Sequence, residues 1–292
     1  MIKFTPLNMG TFTKKNNYQE VVSMISQAGF DLINLGESSV PEYNIYGISV
    51  GDTTKKPVIY LQGQIHGAHE WRATHFILEF MKILKNPPAS HATYIEQIKK
   101  DFSFYAIPCL NPYGYENNTY YNANGVNLNR NYDYNWANYD DSNDPYPKGS
   151  SPFSEPETQI SRDVVLDLKP MVAMDWHCRG GFSVGNTHFM GTNLTDEYDL
   201  IMKEIIQSLN MCVTDNTMLL NIKTNRPMAS TWFGSLNNKY GRKTFGLLPE
   251  VGSLETEVKQ GIQGINMIFI TVFIYWKYFY KKITRIYKDE IE

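Results

Sequence analysis

The hydrophobic positions of this chain fall into short blocks whose period switches repeatedly, and each switch predicts an element. In NYQEVVSMISQAG, Val21, Val22, Met24 and Ile25 share a helical face and Gly29 supplies a stop. YNIYGISVG and KPVIYLQGQIHG are rich in β-branched and aromatic residues and predict two strands, with Asp52 to Lys56 as the turn between them. EWRATHFILEFMKIL returns to a helical period directly after His69, offers Leu78, Met81, Ile83 and Leu84 to a sheet, and stops at Pro87-Pro88. FSFYAIPCL predicts the next strand, Glu155 to Leu168 another helix, and MVAMDWH a further strand.

This strand, loop, helix rhythm predicts an α/β protein with a mixed or mostly parallel sheet, a single domain spanning 1–292. Ligands in such folds sit beyond the carboxyl ends of the strands. His66, Asn111 and His177 each follow a predicted strand, so they are expected to converge on one face. The segment from Tyr113 to Pro156 is too long for an ordinary connector, and its many tyrosines predict an ordered functional loop rather than a linker.

The most apolar stretch, GINMIFITVFIYWKYFY, is shorter than a spanning helix and carries Asn266, Thr271 and Lys277, so it predicts a core helix and no stable membrane insertion. A net charge of -3 argues against a nucleic-acid partner, which would call for a basic footprint. Cys109, Cys178 and Cys212 are odd in number and widely spaced, as expected of reduced thiols rather than a disulfide framework. MIKFTPLNMG has neither a long apolar run nor a cleavage pattern, so the cytoplasm is the default expectation, with release by lysis or non-classical export left open. Nothing in the pattern fixes the oligomeric state.

Four segments carry candidate chemistry. IHGAHEW brings His66, His69 and Glu70 within reach of one cation; zinc favours such nitrogen and oxygen donors, and a catalytic site keeps three protein ligands plus water. His69 and Glu70 fit equally well as a helix cap and a carboxylate at the helix's positive end. His177 ends an apolar strand and is the natural distant ligand, with Asp175 two residues back on the same face as its orienter. Glu250 in FGLLPEVGS suits a general base or, equally, a turn glutamate. GVNLNRNYD offers Asn129 and Arg130 for a carboxylate or for a loop-stabilising salt bridge.

Taken in order, IYGISVG, IHGAHEW, IPCLNPYGYE, NANGVNLNRNYD, PFSEPETQ, DWH, STW and FGLLPEVG resemble the zinc carboxypeptidase family over nearly the whole chain. The resemblance implies a mixed, mostly parallel eight-stranded sheet flanked by helices. It implies one Zn2+ held by His66, Glu70 and His177, with Glu250 as the base that activates water. Asn129 and Arg130 would hold a substrate carboxylate, and Ser230 would lie at the base of the specificity pocket.

Three departures stand out. The family spaces its first histidine and glutamate by two residues, whereas Glu70 is four after His66 and His69 takes the nearer position, so His69 is the alternative ligand. Tyr120 stands where an arginine usually stabilises the oxyanion, and Arg72 or Arg179 are candidates to compensate. The tyrosine expected to close over substrate is replaced near Lys223. The implied activity is zinc-dependent hydrolysis of an amide near a free substrate carboxylate, foremost as a metallocarboxypeptidase acting on a peptide. The alternatives are deacylation of an N-acyl amino acid or related small amide, and a zinc- or ligand-binding pseudoenzyme.

Overall fold

The structure, a computed structural model, describes residues 15–67, 70–140, 142, 144–178, 188–192, 194–212, 218–252 and 257–289. His69 and Arg179 lie outside the described residues, as does the side chain of Cys212. In chain order the elements are α1 (Tyr18–Gln27), β1 (Ile33–Glu37), β2 (Asn44–Val50), β3 (Val58–Gly63), α2 (Arg72–Lys85), α3 (Ala92–Asp101), β4 (Ser103–Ile107) and α4 (Pro112–Asn117). There follow α5 (Pro156–Leu168), β5 (Val172–Cys178), β6 (His188–Thr192), α6 (Asp196–Cys212), β7 (Met218–Ile222), α7 (Ala229–Ser235), β8 (Phe245–Val251) and α8 (Glu257–Asp289).

Local chemistry sets the helix ends. Asn17 accepts from Glu20 N at 2.8 Å while the Glu20 carboxylate takes the Asn17 backbone N–H at 3.1 Å, a reciprocal cap that starts α1. Gly29, at φ 73°, takes the left-handed conformation that ends it.

The eight strands form one mixed sheet in the order β1-β2-β4-β3-β5-β8-β6-β7. The pairs β3–β4, β3–β5, β5–β8 and β6–β7 are parallel, and β1–β2, β2–β4 and β6–β8 antiparallel. All of β3, β4 and β5 is buried, as a parallel centre covered on both faces requires. On one face α2 and α8 pack over Met174, Trp176, Leu247 and Val251. On the other, Val165 of α5 and Ala229, Trp232 and Phe233 of α7 pack over Tyr60 and Ala173. Helix α8 takes in the apolar stretch around Phe269; among the described residues no helix is long and apolar enough to cross a membrane.

The long loop is ordered by buried asparagines. Asn131 donates to Lys148 O and Ser151 O and accepts from Thr158 Oγ1 at 2.6 Å, tying three stretches of chain to the start of α5. Asn122 donates to Glu155 Oε2 at 2.7 Å. Such fully bonded buried amides fix one loop conformation, because leaving any of them unpaired in the interior costs about 1–3 kcal/mol.

Candidate metal centre

Parallel pairing of β3 with β5 puts Gln62 beside Asp175 and Gly63 beside Trp176, so the chain leaving β3 emerges next to His177. Gln64 then adopts a left-handed φ of 59° and donates from Nε2 to His66 O at 3.0 Å, which turns His66 across the strand ends. Gly67 packs so tightly on Gly114 and Thr119 O that a Cβ would collide with backbone. Glu70 follows just before α2, and its carboxylate reaches back between the two imidazoles.

His66 Nδ1 lies 3.0 Å from Glu70 Oε1, and His177 Nδ1 lies 3.1 Å from Glu70 Oε2. One donor atom from each of the three falls within 4.8 Å of the others, and all three residues are buried. Each ring directs its other nitrogen at an oxygen acceptor: His66 Nε2 sits 3.1 Å from Asn127 Oδ1, and His177 Nε2 sits 2.9 Å from Asp175 Oδ2. Acceptors at Nε2 favour the Nε2–H tautomer, which leaves the Nδ1 lone pair of each neutral ring facing Glu70. Asn129 Nδ2 approaches His177 Nε2 only at 3.5 Å, so Asp175 governs that nitrogen.

The electrostatics follow from this crowding. Burial acts to raise the Glu70 carboxyl, but His177 and His66 outweigh it and bring it down to about 2. Burial acts to lower His177, but Glu70 and Asp175 outweigh it and hold it well above its ordinary value. Glu70 Oε2, although close to His177 Nδ1, has no hydrogen-bond partner of acceptable geometry and is buried. Without a metal, a proton on His177 answers the Glu70 carboxylate; with both rings neutral, two nitrogen lone pairs and a buried carboxylate oxygen face one point, a donor set that could hold a cation and that suits a transition ion of zinc type.

Beneath the cluster Asp175 is anchored by Gln62 Nε2 at 2.9 Å, and Gln62 is in turn bonded to Tyr60, Tyr132 and Ser161. Sequence reasoning named Asp175 as the orienter of His177 but passed over Asn127, which does the same for His66. Its signal was available in GVNLNRNYD, two residues before Asn129.

Glu250 pairs in register with His177 across β5 and β8, and strand alternation sets it on the same sheet face. Tyr120 stacks on the His66 ring with centroids 4.0 Å apart and planes within 14°. Burial, then Glu70 and Tyr146, with a lesser contribution from Glu250, raise its phenol, so it stays a protonated donor.

The other expected residues all have partners within the protein or lie at its surface. Arg130 is buried and its Nε donates to Asp144 Oδ2 at 2.6 Å, while Nη1 donates to Asn129 O at 2.9 Å. Asn129 Oδ1 accepts from Ala229 N at 3.0 Å. Ser230 is fully buried in α7, its Oγ 3.5 Å from Thr192 Oγ1. Lys223 is exposed.

The fold is thus an α/β protein whose mixed sheet carries, at its parallel strand ends, a buried His–Glu–His cluster that could hold a metal ion. The family model described as zinc carboxypeptidase matches residues 26–205, well over half of the chain, and the chain belongs to that family. The match takes in His66, Glu70, Asn129, Arg130 and His177 and stops before Ser230 and Glu250.

Among similar proteins, carboxypeptidase B of Astacus astacus is 31% identical over 134 residues, 38% of this chain and 41% of that protein. Carboxypeptidase O of Bos taurus is 28% identical over 177 residues, 54% of this chain and 44% of that one. The chain thus spans less than half the length of these relatives. The crystal structure of carboxypeptidase A from Helicoverpa armigera superposes with a TM-score of 0.69 at 18% identity, covering 90% of this chain and 75% of that one. A metallo-carboxypeptidase from Burkholderia cenocepacia gives 0.67 at 16% identity, covering 90% and 69%. At these identities the likeness is one of fold.

Proposed function

We propose that this chain is a zinc-dependent metallopeptidase that hydrolyses an amide bond near a free substrate carboxylate, acting on a peptide as a metallocarboxypeptidase. The observation that carries the proposal is the buried His66–Glu70–His177 cluster, whose Glu70 Oε2 has no hydrogen bond of its own. His66, Glu70 and His177 would hold the ion. Bound there, zinc supplies Lewis acidity at the scissile carbonyl and makes water acidic enough to serve as a nucleophile near neutral pH.

Glu250, in register with His177, takes a proton from the attacking water and returns it to the leaving amine. Tyr120, kept protonated by burial, donates to the oxygen on which charge develops; it lacks the positive charge of an arginine, so this stabilisation is the weaker for it. Asn129 and Arg130 face the substrate carboxylate, and Ser230 bounds a small side-chain pocket.

A panel tests the proposal: metal analysis of the purified chain, then hydrolysis of peptides with free carboxyl ends beside N-acyl amino acids. One zinc per chain with trimming of the peptides is the expected result. Activity on acyl amino acids alone would turn the assignment to a small-amide deacylase. Stoichiometric zinc without any cleavage would make the chain a binding protein, and absence of metal would defeat both.

A further inference from the structure

The guanidinium of Arg130 already has a carboxylate partner. Asp144 Oδ2 lies 2.6 Å from Arg130 Nε, and the two side chains are only 6% and 8% exposed. Asp144 is itself caged by its own loop: the Tyr139 hydroxyl donates to Oδ2 at 2.6 Å and Tyr146 N donates to Oδ1 at 3.2 Å. The Tyr146 ring also faces the guanidinium, 5.5 Å from Cζ. With Nη1 turned to Asn129 O, among the described residues no partner bonds Nη2. Burial works to raise the Asp144 carboxyl, but Tyr139 and Arg130 outweigh it and hold it below its ordinary value, so the carboxylate is charged across the physiological range.

An arginine that is to select a carboxylate does so by an uncompensated charge and a free bidentate fork. Here Asp144 cancels most of that charge and covers the Nε corner of the fork, leaving Nη2 as a donor that serves a neutral carbonyl as readily as a carboxylate. We propose that Asp144 is a specificity-determining residue, which relaxes the demand for a terminal carboxylate so that ligands ending in an uncharged amide are also accepted. This rests on the reading that Arg130 faces the substrate's end, and it adds the class of terminus tolerated there.

The test reads binding rather than turnover, so it stands apart from the enzyme assignment. N-acetylphenylalanine and N-acetylphenylalaninamide are titrated calorimetrically into the zinc-loaded wild type, Asp144→Asn and Asp144→Ser. The wild type is expected to prefer the acid by less than about tenfold, while either variant binds the acid about tenfold more tightly and the amide within about twofold of wild type. A wild-type preference for the acid above about 100-fold overturns the proposal without recourse to any variant. So does weaker or unchanged acid binding in the variants, which would make Asp144 a positioning residue for Arg130, and so does failure of both ligands to bind. Loss of hydrolysis with the binding pattern intact would instead overturn the enzyme reading alone.

Discussion

The strand-end cluster and the long loop handle buried charge in opposite ways. At the strand ends, Glu70 lies between two imidazoles whose outer nitrogens are committed to Asn127 and Asp175, and one of its oxygens still has no hydrogen bond. In the loop, the buried charge of Arg130 is answered by Asp144, and Asp144 by Tyr139 and Tyr146. An unsatisfied buried acceptor is costly in an empty site and gains when a cation arrives, whereas a satisfied ion pair must be loosened before it can grip anything else. The contrast fits the proposed roles: a cluster that could take a metal, and a loop whose charge is already balanced before any ligand arrives.

The largest effect expected is at the cluster itself. Glu70→Ala should abolish stoichiometric zinc by elemental analysis while His69→Ala keeps it; the reverse outcome would make His69 the ligand. Next, Glu250→Gln should retain zinc and lower kcat by about 10²–10⁴-fold, the range of a general base. Turnover within a few-fold of wild type would remove Glu250 from that role. Smaller again, Asp175→Asn should weaken zinc binding about 10–100-fold in a chelator competition without abolishing it, as for other partners that orient a metal-binding histidine. Unchanged affinity would show that Asp175 merely fills the core.

The smallest effect expected lies in the pH dependence of the metal-free protein. Glu70 is depressed from 4.5 to about 2 in the fold, so its contribution to stability is fully present above its ordinary value and is lost as the pH falls towards about 2. The melting temperature of Glu70→Gln should therefore fall less steeply than that of wild type between pH 4.5 and about 2. Parallel slopes would show that the carboxylate is not held by the two rings.

Much of this was legible along the chain, and unevenly. Helices α1, α2, α5 and α8 and strands β2 to β5 follow from clear periods and from stops such as Gly29 and Pro87-Pro88. β1 and β6 were not read, because INLGE and HFMGT are short, interrupted by glycine and only partly buried, so they lack a clean alternation. Among the described residues between Tyr113 and Pro156, buried asparagine amides tie the loop together, in line with the expectation of an ordered segment.

The sequence by itself pointed to His66 and His177 at the carboxyl ends of apolar strands, and so to one side of a sheet; in the fold His66 lies three residues beyond β3 and His177 is the penultimate residue of β5, next to Cys178. The sequence left His69 and Glu70 open as alternatives, and His69 lies outside the described residues. The tertiary structure brought Glu70 between the ring of His66, just past the end of β3, and that of His177 on the adjacent parallel strand β5. It likewise paired Arg130 with Asp144 from 14 residues along the chain. Such a pair is decided by how the loop folds back on itself, because charge acts through space and leaves no period in the sequence.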